Sequence, residues 1–119
     1  MEKIEELNRK LISAFPELKD VFNEETSWQE GINTGSTVVY EDVFMPFVIS
    51  AIEDHDAVKI KRVFEFVENL ARMHDDYTDQ LVMISIFDEL VFYNSEIDYT
   101  QWLKPNSLTL YKKSQNNKI

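Results

Sequence analysis

The sequence predicts an all-α protein, a single compact bundle of about five helices over residues 1–119 with one irregular segment near 27–40. Three observations carry that expectation. The chain holds only two glycines and three prolines, too few for the many tight turns of a β-sandwich or barrel. Its apolar residues recur at i, i+3, i+4 and i+7 over several long stretches, which is the spacing of one helix face. Its content of 44% hydrophobic and 13% aromatic residues supplies a core that a disordered chain lacks.

The first helix is expected over residues 2–15, where Ile4, Leu7, Leu11 and Phe15 share a face and Glu2, Glu5 and Glu6 suit the positive end of the helix dipole. Pro16 ends it and can open the next helix. "PELKDVFNEE" then places Leu18, Val21 and Phe22 on one face of a short second helix. "TSWQEGINTGSTVVY" breaks the helical pattern, holds both glycines and ends in residues of strand propensity. It reads as an ordered loop with a short extended piece. "GINTGST" lacks the lysine that a phosphate-cradling P-loop needs.

"EDVFMPFVISAIED" gives a third helix from about Tyr40–Val43 to Glu53, with Pro46 near its start or at a kink. "DHDAVKIKRVFEFVENLARMH" is the most regular. Its apolar face is Ile60, Val63, Phe64, Val67, Leu70 and Ala71, its cap Asp56, and Glu65 and Glu68 fall on its outer face beside Lys61 and Arg72. "YTDQLVMISIFDELVFYN" is apolar nearly all round from Leu81 to Tyr93, which marks a central helix covered by neighbours on most sides. A helical turn near Tyr99–Leu103, a short last helix from Pro105–Ser107 and a frayed tail over about 114–119 complete the chain.

Composition excludes several functions. With no cysteine, disulfides, thiolate zinc sites and cysteine nucleophiles are ruled out. No apolar run approaches the ~20 residues of a membrane span, and the charged, periodic start is unlike a signal peptide, so a cytoplasmic protein is expected. The net charge is −10, and the first 103 residues hold 8 basic against 22 acidic residues, or −14. Such a body repels nucleic acid and anionic membranes and attracts a basic protein partner. Acidity also serves plain solubility.

Two stretches concentrate chemistry. "RMHDDYTDQ" holds His74, Asp75, Asp76 and Asp79, and "EDHD" holds Asp54, His55 and Asp56. One reading is a metal-dependent phosphohydrolase of the His-Asp type, using His55, His74 and Asp75. The other is helix-end chemistry: aspartates that cap the next helix and complement its dipole, and a histidine at the end of the preceding one. The stretches flank one long helix, about 27 Å apart at 1.5 Å per residue, which weakens a shared metal site. "EDHD" lacks the glycine and glutamate of a calcium loop. No Gly-x-Ser-x-Gly elbow is present, and Ser85 reads as a small packing residue. Asp88 interrupts an apolar helix and is a candidate acid of raised pKa. Trp28 and Trp102 lie in irregular regions, as interface anchors or core covers.

In size, charge and lack of catalytic motifs the chain resembles the small acidic helical proteins of bacterial toxin–immunity systems. "FPELKDVF", "VFMPFVISAIED" and "FEFVENLA" resemble segments of an uncharacterised bacterial family of small acidic proteins. The resemblance implies a non-enzymatic module that docks a basic partner, and it carries over no site residues. The candidate contacts are Asp54, Asp56, Asp75, Asp76 and Asp79, with no catalytic residue, metal or cofactor. Pairing of apolar helices with a second copy is a further alternative.

Overall fold

A computed structural model describes residues 2–27 and 29–116, Glu2 by its backbone alone. Trp28, one of the two candidate anchors, therefore lies outside the described residues. The protein is all-α, with no strand among the described residues. Six helices are present there: α1 (Glu2–Ala14), α2 (Lys19–Thr26), α3 (36–53), α4 (Ala57–Ala71), α5 (76–93) and α6 (Pro105–Asn116). Single 3₁₀ turns occupy Pro16–Leu18, Gly31–Asn33 and Tyr99–Trp102. No described helix is long and apolar enough to cross a membrane. Contacts gather the chain into two units, one ending at Phe47 and the other starting at Val48.

In the first unit, α1 buries Leu7 and Leu11, followed by Phe15, Leu18 and Phe22. Phe15 meets the rings of Phe44 and Phe47, each at 5.4 Å. Val21 faces outward instead of sharing the buried face of α2. After Pro16 the chain makes a 3₁₀ turn before α2, and this changes the phase of the helical pattern. Thr26 takes the buried position, its hydroxyl donating to the Phe22 carbonyl at 2.7 Å.

The irregular segment is shorter than expected. Helix α3 begins at Ser36, so Thr37, Val38 and Val39 are helical, not extended. Strand propensity yielded here to burial: Val39 and Tyr40 are fully enclosed, and the Tyr40 hydroxyl donates to the Leu7 carbonyl at 2.8 Å. The loop before α3 is pinned rather than free. The Asn8 amide donates to the carbonyls of Ile32 at 2.9 Å and Thr34 at 2.7 Å. Gly31 sits at φ +58°, a left-handed conformation that suits glycine. Tyr40–Phe44 form a π turn, with the Met45 N–H donating to the Tyr40 carbonyl. It lies just before Pro46, which has no N–H to give to an α-helical ladder.

In the second unit, α6 packs on both α4 and α5. The expected face of α4 is buried, and Phe66 with it. Phe87 and Tyr99 each meet the Tyr111 ring, and Trp102 stacks on Phe64 at 5.3 Å. Glu65 is exposed, but Glu68 departs from its expected outer position and is only 2% exposed. Its carboxylate accepts from the backbone N–H of Ser107 at 2.8 Å and the Asn106 amide at 2.8 Å. A helix start leaves N–H groups without intrahelical acceptors, and Glu68 supplies that acceptor to α6 from 38 residues away. Burial by itself would raise the Glu68 carboxyl, but the hydrogen bonds from Asn106 and Ser107 outweigh it and hold the group below its ordinary value. Arg72 also stands 3.5 Å from this carboxylate, at the expected i, i+4 spacing.

Of the tail expected to fray, Ser114–Asn116 continue α6 with Ser114 buried, and 117–119 lie outside the described residues.

Candidate functional site

Both histidines end a helix in the left-handed conformation, at φ +52° for His55 and +50° for His74. Each is followed by an aspartate that caps the next helix. Asp56 accepts from the Lys59 N–H at 3.1 Å. Asp75 accepts from the Thr78 N–H at 3.0 Å and from the Thr78 hydroxyl at 2.8 Å. At the first joint the His55 N–H donates to Ile52 and the Asp56 N–H to Ala51, the paired pattern that closes a helix around a left-handed residue. The two His-Asp pairs are thus one device used at both ends of α4. In it the histidine stops one helix and the aspartate starts the next.

That placement separates the proposed metal ligands, because His55 precedes α4 and His74 follows it. Among the described residues no three His, Asp or Glu side chains gather closely enough to hold a metal.

The five candidate aspartates also divide between the joints. Asp54 and Asp56 stand before α4, and Asp75, Asp76 and Asp79 stand at the start of α5. Asp54 and Asp76 are exposed, while Asp56 and Asp75 are half-buried and engaged as caps. Asp79 differs from the others. One of its carboxylate oxygens is buried and finds no hydrogen-bond partner among the described residues. Burial raises its pKa, opposed by the charges of His74 and Lys113 and reinforced by Asp76 and Asp75.

The surface of α5 shows what the sequence concealed. Its middle, Leu81–Asp88, is a π stretch, in which Leu81, Val82, Met83, Ser85, Ile86 and Phe87 are all buried. Pairing of i with i+5 widens the helix. From Gln80 to Tyr93 the exposed residues are Gln80, Ile84 and Phe92, on a line that also holds the half-buried Asp88, while Glu89, Val91 and Tyr93 are half-buried beside it. Phe92 is 89% exposed and Ile84 51%, and Tyr77 near the start of α5 is 42% exposed. The helix is therefore covered on most of its circumference, as expected, but carries a ridge on which the apolar Ile84 and Phe92 alternate with the polar Gln80 and Asp88. Its own stretch of chain is acidic, while the Lys113 charge on α6 reaches Asp79 near its start. From Met73 to Leu103 the chain has seven Asp or Glu and no Lys or Arg.

An apolar spacing pattern alone could not reveal this ridge, because α-helical periodicity assigns Ile84 and Phe92 no special place. Gln80 and Asp88 are polar marks on that line, but nothing in the run singles out Ile84 or Phe92 from its other apolar residues. Ser85 is a buried packing residue, as its size implied. Trp102 is half-buried against Phe64, a cover for the core.

A family model described as "Domain of unknown function (DUF7674)" matches residues 8–118 of the chain. No curated protein and no solved structure matches it.

Proposed function

Given that the chain belongs to the DUF7674 family, whose function is unknown, we propose that it is a non-enzymatic protein-binding module of the immunity type. Its acidic surface docks a basic partner protein. The observation that carries this reading is Phe92, 89% exposed on a ridge within a segment free of Lys and Arg. Exposed aromatic side chains are the usual energetic anchors of interfaces, and surrounding charge of one sign steers a partner of the other. Asp76 and Asp88 flank the apolar positions of the ridge, and Asp79 stands one turn from Asp76 on the same helix. Asp54 and Asp56, at the other end of α4, contribute to the field and not to the ridge contact.

The test is affinity capture from the source cell, comparing the wild-type chain with Phe92→Ser and with an Asp76→Asn/Asp88→Asn variant. A basic protein held by the wild type, released by high salt and lost from Phe92→Ser supports the reading. Capture that ignores both salt and Phe92 contradicts it.

A further inference from the structure

We propose that a second site, independent of the ridge, binds a small organic anion with a flat apolar body. It is a cleft of about 470 Å³ between the start of α4 and the Tyr99–Trp102 turn. That volume falls in the range of small-molecule pockets.

Its lining joins apolar and basic side chains. Ile60, Phe64 and Trp102 form an apolar wall, and the last two rings lie nearly parallel, 26° apart at 5.3 Å. Phe64 is buried beneath this stack, so the half-buried Trp102 ring is the flat face open to a flat ligand. Around that wall stand His55, Lys61 and Lys104, with Glu65 the opposing charge. In a chain of net charge −10, the formal charges lining this cleft are two lysines against one carboxylate, with Asp54 and Asp56 beside His55 in the chain. Lys61 and Lys104 are exposed, so each can swing to meet a carboxylate or sulfonate without unfolding anything. An anion held there by charge and a ring held against Trp102 divide the recognition between two elements, α4 and the 3₁₀ turn.

His55 supports the assignment. It holds a left-handed backbone that glycine adopts with less strain, and its side chain lines the cleft. That conformation belongs to the helix-closing turn, and its contribution here is to fix where the imidazole stands at the rim. Glu65 and the aromatic wall together would instead suit an organic cation. The excess of basic side chains decides for the anion.

The probe is 2-naphthoate, followed by calorimetry and by ligand-observed NMR, beside two analogues of similar shape: neutral 2-naphthylmethanol and cationic 2-naphthylmethylammonium. The wild-type chain is expected to bind naphthoate about tenfold or more tightly than the alcohol, the gain of a charge-assisted contact. Lys61→Ala/Lys104→Ala, whose circular dichroism should match the wild type, is expected to reduce naphthoate to the level of the alcohol. Phe92→Ser is expected to leave naphthoate binding unchanged. No binding at millimolar naphthoate, equal binding of acid and alcohol, or preference for the ammonium would overturn the proposal. So would a lysine variant that binds naphthoate as before, or a Phe92 variant that loses it.

Discussion

Asp79 carries the clearest conflict between local and tertiary environment. It lies in the first turn of α5, where a carboxylate favours the helix dipole, yet burial raises its pKa above the ordinary Asp value. A group whose pKa is raised on folding stabilises the fold at low pH and loses that contribution as pH rises through its folded value. At neutral pH the charged form is therefore the penalised one. Asp79→Asn is expected to raise the denaturant midpoint at neutral pH, with the gain fading as pH falls, and a loss of stability would show that the carboxylate is better paired than its buried oxygen suggests.

Glu68 has the opposite sign. Its pKa is lowered from 4.5, so its stabilisation is present above that value and is lost as pH falls through the lower folded value. Glu68→Ala strands the N–H groups at the start of α6 and is expected to cost about 2–4 kcal/mol at neutral pH, read as a lower thermal midpoint whose deficit shrinks in acid. His55→Gly and His74→Gly relieve left-handed strain and are each expected to stabilise by roughly 0.5–1 kcal/mol.

At the scale of elements, α5 and the loop before α3 show how a tertiary contact reshapes a local pattern. The π stretch buries six of its eight residues, which an α-helix on a single packing face does not do. That widening concentrates exposure on the line through Ile84 and Phe92. Because Phe92 is almost fully exposed, Phe92→Ser is expected to change stability by less than about 0.5 kcal/mol. A large loss would mean that the side chain packs in solution. Asn8 ties the loop over 31–35 to α1 by holding the carbonyls on both sides of Asn33. Asn8→Ala is expected to speed limited proteolysis at this loop while helical dichroism persists.

For the whole molecule, charge sets the terms of association. A second copy laid on the ridge would face acid with acid, an arrangement that costs free energy. The purified chain is therefore expected to sediment as a monomer at low salt. Self-association that appears only as salt is added would show that the ridge suffices once the charges are screened.

Helical character is legible in the apolar spacing and the scarcity of glycine and proline. The sequence placed the buried face of α4 correctly, because Ile60, Val63, Phe64, Val67, Leu70 and Ala71 keep strict spacing. It also identified Asp56 as a cap, since capping is a local reaction between neighbours in the chain. The remaining features come from packing between elements distant in the chain. Glu68 looked like a solvent-facing charge, because nothing near it in sequence announces an acceptor for a helix start 38 residues away. Thr37, Val38 and Val39 looked extended until burial of Val39 and Tyr40 drew them into α3. The ridge and the cleft were hidden for the same reason. Each is made of residues whose exposure depends on which neighbours arrive, and that depends on packing between distant elements, not on local periodicity.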